Sequence, residues 1–244
     1  MNVAFYSAAA GMLACQEKLD VTANNMANVN TTGYKNMEVS FQDLMYTDMN
    51  TKAEGEHKTG HGSHVAGVDS VFLQGVLEKT DRPLDFAVAG KAYFAIDDGS
   101  GTTSYTRDGS FRIGMSQGAP YLMNAVGGFV LDGNGNKIQV PVLKGTTTPD
   151  VNALKGQIGL YTFENPSGLT MMGNNLCRVS ENSGTAVSVK SSEGHWLVSG
   201  ALEASMADTA TEMIHVIESQ RALQMNARIV TSADEVEEMI NNLR

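Results

Sequence analysis

Basic residues are scarce in this chain. Only 17 Lys and Arg stand against 27 Asp and Glu in 244 residues, a formal net charge of −10. A nucleic-acid binder needs a cationic face, and this balance does not supply one. Cysteine is rarer still. Cys15 and Cys177 lie far apart without a C-x-x-C partner. That excludes a disulfide framework and a cysteine-based zinc site, and leaves each as a small core residue. No stretch approaches the roughly 18 apolar residues that span a bilayer as a helix, so the chain is not expected to be membrane-embedded. The N-terminus lacks a basic segment ahead of its apolar residues, so no cleaved signal peptide is expected.

Proline is missing from both ends, and glycine is scarce at the first and missing from the last. All five prolines lie between Pro83 and Pro166, and 23 of the 25 glycines lie between Gly55 and Gly200. From Ala201 onward there is neither. The middle therefore reads as turns and strands, and the ends read as helices. What is present in abundance is apolar residues, 42% of the chain, a share compatible with a buried core in one or two domains.

The N-terminal end carries a regular stripe. Phe5, Ala8, Met12, Cys15, Leu19, Thr22, Met26 and Val29 follow at alternating steps of three and four. That is the seam of a heptad repeat. The helix is expected to stop near Asn30, where Thr31-Thr32-Gly33 supplies turn chemistry. At the other end Thr209-Ala210-Thr211-Glu212 fits a capping box. Met213, Val216, Gln220, Leu223, Ala227, Val230, Ala233, Val236, Ile240 and Leu243 then run at steps of three or four. The predicted helix is about 35 residues long, roughly 50 Å. Neither stripe can be buried by its own helix. Each must pack on the other, on the middle, or on another copy.

From about Leu84 to Gly200 the chain looks all-β. Asp85 to Ala89, Tyr93 to Ile96, Phe129 to Leu131 and Ile158 to Phe163 are short β-prone runs. Clusters such as Asp108-Gly109 and Asp132-Gly133-Asn134-Gly135-Asn136 separate them. A polar, Gly-rich stretch from about Thr47 to Val68 reads as a connector or extended loop. The expected fold class is α+β: long terminal helices form a coiled-coil-like core, with a mostly-β domain inserted between them. Residues 1–35 and 205–244 are expected to make up that core domain, 36–83 a connector, and 84–204 the β-rich outer domain.

At this point the residues resemble a known family. Ala23 to Lys35 (ANNMANVNTTGYK) closely resembles the N-terminal signature of flagellar rod and hook proteins. The likeness continues through Arg82 to Gly90, Tyr105 to Phe111, Phe163 to Pro166, Gly200 to Ser205 and Glu218 to Ala222, in the family's order. Met206-Ala207 stands where the family usually has Asn-Val, and Tyr34 and Met26 replace the commoner Phe and Leu. At 244 residues the chain is shorter than hook subunits, so it looks more like a proximal or distal rod protein.

The resemblance implies a structural subunit of the flagellar basal-body rod that polymerises helically through its terminal helices. It implies export by the flagellar type III apparatus and contact with itself and other rod and hook subunits. It implies no catalysis, no cofactor, no metal and no small-molecule substrate. The expected assembly residues are Phe5, Met12, Leu19, Asn24, Asn25, Met26, Asn28, Val29, Gly33, Met213, Val216, Leu223, Val230 and Ile240. The asparagines of the signature can bridge to neighbours through donors and acceptors, or simply form a turn. The helical stripes can likewise pair within one chain.

Other patterns invite chemistry. Gly114-Met115-Ser116-Gln117-Gly118 matches G-x-S-x-G, which works only as a strained strand-to-helix turn, and Pro120 follows at once. His57, His61 and His64 suggest zinc or nickel, yet a solvated loop explains them better. Asp132 to Asn136 resembles the start of a calcium loop, but Lys137 and Leu143 occupy the positions that need Gly and Glu. Asp234, Glu235, Glu237 and Glu238 read as the wet face of the last helix. Two alternatives to a rod subunit follow: a binding module whose β domain is clasped by its own helices, or a hydrolase centred on Ser116.

Overall fold

The computed structural model describes residues 3–48, 57–99, 101–116, 118–141, 149–189 and 194–243. Residues 49–56 of the expected connector, Gln117 and Leu143 lie outside them. The chain begins with α1 (Val3–Ala27), β1 (Met37–Asp43), β2 (Tyr46–Asp48), β3 (Lys58–Gly60), β4 (Ser63–Ser70) and β5 (Leu77–Lys79). It continues through β6 (Phe86–Ala89), β7 (Tyr93–Asp97), β8 (Thr103–Thr106), β9 (Arg112–Ser116), β10 (Ala119–Met123) and β11 (Phe129–Val130). Then come α2 (Val151–Gln157), β12 (Leu160–Thr162), β13 (Thr170–Gly173), β14 (Leu176–Arg178) and β15 (Val187–Val189). The chain closes with β16 (Trp196–Ser199), β17 (Ala201–Glu203) and α3 (Thr209–Asn242). This is the α+β arrangement expected, with helices at both ends and a mostly-β centre.

Two compact units divide the chain. One comprises Met1–Ala27, Met37–Ser70 and Ala207–Arg244, and the other Asn28–Asn36 and Val71–Met206. In the helical unit α1 packs on α3, and β1 pairs antiparallel with β4. Met37 stands opposite Ser70 and Asp43 opposite Ser63, so part of the stretch read as a connector is a β ribbon.

In the β unit the main sheet has the order β13-β14-β8-β7-β11-β10-β9, with β12 pairing both β7 and β15. The alternation of β7 explains two cores. Phe94 and Ile96 join Phe86, Val88, Phe111, Leu122 and Leu160 in one, while Tyr93 and Ala95 join Tyr105, Tyr161 and Phe163 in the other. A strand with both faces covered is apolar throughout, as Tyr93-Phe94-Ala95-Ile96 is. Ring pairs lock the second core: Tyr105 meets Phe163 at 4.9 Å and 86°.

Several local expectations need correction. α1 ends at Ala27, so Val29 lies in the turn that follows. The cap of α3 is Asp208, whose Oδ2 accepts from Thr211 N at 3.0 Å, and Thr209 is already helical. Aspartate one residue earlier offers a charged acceptor to the first turn, which outcompetes the threonine. The centre also contains the short helix α2, capped by Asp150 Oδ1 accepting from Asn152 N at 3.1 Å.

Candidate functional site

Two places gather the residues singled out in the sequence, one in each unit. In the helical unit, α1 and α3 form an antiparallel pair whose contacts recur every seven residues along α1 and at steps of six to eight along α3. Ala4 lines a cavity with Ala233. A Cβ on Gly11 would meet Asn226 Nδ2 at 2.9 Å. Lys18 Nζ lies 3.8 Å from Glu218 Oε2. Asn25 Nδ2 donates to Glu212 Oε1 at 3.3 Å.

The inner seam of α3 is therefore small and polar. Glu212, Ser219 and Ala233 are its buried residues, seven or fourteen apart. The predicted stripe has a different phase: Val216, Leu223 and Val230 are half-buried, but Met213 is 55% exposed and Gln220 is exposed. α3 carries apolar residues on more than one face, so periodicity alone could not choose among them. Close approach at Gly11 and the amide–carboxylate contact at Asn25 select the small and polar phase.

On α1, Phe5, Met12, Leu19 and Met26 are half-buried, and Asn24 is exposed. Asn25 is buried. Its Oδ1 accepts from Met37 N at 3.0 Å while its Nδ2 donates to Met37 O at 2.9 Å. One side chain thus pairs with a residue's backbone as a neighbouring strand would, and fixes the start of β1 against α1.

The second place is in the β unit, where three segments quoted for the family resemblance converge. Glu203 is fully buried. Its Oε1 accepts from Lys35 Nζ at 2.5 Å and from Gly75 N at 2.8 Å, and its Oε2 from Arg107 Nη1 at 3.1 Å. Lys35 also donates to Leu73 O, and Arg107 to Gly90 O at 2.6 Å. The Arg107 guanidinium lies 4.9 Å from the centroid of the Tyr93 ring. Burial pushes the Lys35 ammonium below its usual range, opposed by the Glu203 carboxylate. Burial likewise drives the Tyr93 phenol upward, and the Cys177 thiol, on the same side of the site, to about 11.

Backbone geometry completes the clasp. Gly33 has φ +68, and its N–H donates to Glu203 O at 2.7 Å. A Cβ there would lie 2.7 Å from the Arg107 carbonyl carbon. Thr32 Oγ1 donates to Asp108 Oδ1 at 2.8 Å, and Asn175 Nδ2 donates to Thr32 O at 2.7 Å. Gly109 allows Phe86 O to approach within 1.6 Å of where a Cβ would sit. Lys35, Arg107 and Glu203 were not among the expected site residues. Their signal was there: each is a charged residue inside a β-prone or turn segment.

The catalytic patterns resolve into turns. Ser116 ends β9 and pairs with Ala119 of the antiparallel β10, so it leads into a strand and not into the helix that a nucleophile elbow needs. Asp132 Oδ1 accepts from Asn134 N at 2.6 Å and Asn136 N at 3.1 Å, closing a tight turn on itself. His61 Nε2 sits 3.0 Å from Thr47 Oγ1, and His57 and His64 are exposed. Among the described residues no group of three or more His, Cys, Asp or Glu is placed to hold a metal ion.

Comparison with known proteins matches both places. Residues 5–35 match a model of flagella basal body rod proteins, 87–159 the flagellar hook protein FlgE/F/G D1 domain, and 198–243 the flagellar basal body rod FlgEFG C-terminal region. The flagellar basal-body rod protein FlgG of Bacillus subtilis is 36% identical over 98% of each chain. That of Borreliella burgdorferi is 34% identical over 100% of this chain and 99% of its own. The chain belongs to the flagellar basal-body rod protein family. A flagellar hook-basal body complex protein of B. subtilis, FlhP, is also similar, at 29% over 94% of both chains. Membership of the rod protein family makes this a structural protein of the flagellar basal body. Its matched N- and C-terminal regions contain most of α1 and all of α3, together with Lys35 and Glu203 of the clasp.

Proposed function

We propose that this rod protein polymerises head to tail through α1 and α3 to build the axial drive shaft of the flagellum. In this reading residues 1–35 and 205–244 form the axial core domain, 36–83 the connecting region and 84–204 the outer domain. The observation that carries it is the inversion of polarity in the helix pair. The inner seam is small and polar, while Leu13, Ile217 and Met225 are 64%, 58% and 60% exposed. Exposed apolar residues at helical spacing mark a surface that another chain covers.

The steps that align Ala4 with Ala233 also leave the last turns of α3 beyond the N-terminal end of α1. Ile240 and Leu243 stand exposed there. A rod needs an interface that does not close on itself, and an overhanging end supplies one to the next subunit. Phe5, Met12, Leu19, Met26, Val216, Leu223 and Val230 are half-buried in the single chain, while Met213 and Ile240 are exposed for a neighbour to cover. Partners are further copies and other rod and hook subunits, delivered by the flagellar type III export apparatus without a cleaved signal. No reaction and no cofactor is assigned to the chain.

Removing residues 209–244 tests the reading. The truncated chain should stay monomeric at every concentration in sedimentation, with cooperative unfolding of the β unit retained. Loss of that unfolding transition would instead favour a self-contained module that its own helices hold together.

A further inference from the structure

Beside the clasp, the turn after α1 opens onto a cavity of ≈ 480 Å³. That volume is within the roughly 300–1,000 Å³ of ordinary binding clefts. Asn28, Asn30 and Thr31 form one wall, and Asn124, Asn174 and Val126 contribute the others. Among the described lining residues there is no Lys or Arg, so nothing attracts a phosphate or carboxylate. Asp108 is the one acid in that lining, and both its oxygens are engaged. Oδ1 accepts from Thr32 Oγ1 and Ser110 N, and Oδ2 from Ser110 Oγ. A cation gains little there.

What remains is a ring of amides and hydroxyls. Asn174 and Asn175 form the two-residue turn between β13 and β14, with φ of 53 and 56. Both central residues are left-handed, as a hairpin of this length prefers, and asparagine tolerates that region. Asn175 is held by Thr32, which leaves Asn174 and Asn30 exposed at the mouth. Each amide offers two donors and an acceptor. A lining rich in amides and hydroxyls, whose one acid is already engaged, can both donate to and accept from a peptide backbone, which presents N–H and C=O groups together.

We propose that this cavity is a docking site for an extended, uncharged segment of a second copy of the chain. The proposal rests on the assembly reading above. Two observations favour a copy over a neutral glycan, the other ligand of this polarity. No aromatic side chain lines the cavity among the described residues, so a sugar ring has no face to stack on. The wall Asn28–Thr31 lies in the segment that matches the rod protein model.

Photo-crosslinking of the full chain decides the matter. A benzophenone amino acid replaces Val126 at the cavity rim or, separately, Met225 on α3. Mixed light and heavy isotope-labelled protein is irradiated across the concentration range of assembly. Interchain adducts from both probes are expected, with extended segments of the β unit or connector attached to position 126. Adducts from position 225 without any from 126 would overturn the docking site and leave assembly standing. Adducts from neither would remove the assembly reading and this proposal together. An Ala125→Trp variant, which plugs the cavity from an exposed turn, should weaken self-association about tenfold or more. Chitotetraose, added to the monomer as a glycan probe, should leave the Asn30 and Asn174 side-chain amide resonances unmoved. Saturable shifts would assign the cavity to glycans instead.

Discussion

Glu203 is the residue on which the β unit depends most. It is the single carboxylate between two buried cations, and removing one partner of such a group leaves charge without compensation. Glu203→Ala should destabilise the β unit by about 3–5 kcal/mol in urea unfolding. A loss below about 1 kcal/mol would show that water reaches Lys35 and Arg107 and that the triad is decorative. Cys177 makes a different prediction from the same neighbourhood. Burial raises its thiol from an ordinary 9.0 to about 11. The folded state therefore holds a proton that the unfolded state releases. Its contribution is fully present below about pH 9 and is lost as pH rises through about 11, with a slope of up to about 1.4 kcal/mol per pH unit. Lys35 opposes this slope, because its lowered value makes the unfolded chain the better proton acceptor at high pH. The difference between the wild type and Cys177→Val isolates the thiol. Equal alkaline slopes in the two would contradict the burial argument. These groups were visible in the sequence as charges and a lone cysteine, but nothing local says that positions 35, 107 and 203 meet. That meeting depends on strand pairings between residues far apart in the chain.

Elements are where the sequence was most informative, and where it failed in phase rather than in kind. Helices at both ends followed from the scarcity of Gly and the absence of Pro there, and the β centre from their clustering. Along α1 the expected stripe is half-buried or buried from Phe5 to Met26, while Tyr6 and Leu13 lie exposed off it. The seam of α3 was not legible, since Met213, Ile214 and Ile217 spread around the helix and the buried positions are Glu212 and Ser219. A buried glutamate breaks the binary pattern, and the Asn25 amide opposite gives it a hydrogen-bond partner. The cap of α3 was misplaced by one residue for a similar reason, since Asp208 and Thr209 both suit the role. Asp208 now carries a prediction. The Thr211 hydroxyl and amide hold its carboxyl below the usual range. Capping is thus present above the ordinary carboxylate range and fades as pH falls through the lowered value. Asp208→Ala should speed amide exchange in the first turn of α3, at Thr211 above all, and leave the middle of the helix unchanged. Equal exchange at Thr211 in both proteins would mean that α3 is held at its start by packing alone. The turn after α1 is stricter. Gly33→Ala meets both a left-handed φ and the Arg107 backbone, so a loss of more than about 1 kcal/mol is expected.

At the scale of the whole molecule the question is why a chain with a well-packed β unit carries a helix pair that is polar inside and apolar outside. Monomeric proteins seldom leave such surface uncovered, because each exposed apolar side chain forgoes burial worth about 1.5–3 kcal/mol. The small and polar seam gives the opposite benefit: it lets α1 and α3 align without using the apolar residues that a neighbour needs. Stability of the monomer and assembly therefore rest on different faces of the same helices, and they should separate by mutation. Ile217→Glu and Met225→Glu together remove apolar surface that the single chain leaves largely exposed. Thermal unfolding of the dilute monomer should move little, since exposed substitutions usually change stability by less than about 0.5 kcal/mol. Self-association should be abolished, because the glutamates would have to be desolvated against a neighbour's apolar face. The converse change, Ser219→Ala, should leave association nearly as it is while altering the monomer. If the double glutamate variant still polymerises, the outer face of α3 is not the interface, and the overhanging residues Ile240 and Leu243 would have to supply it alone.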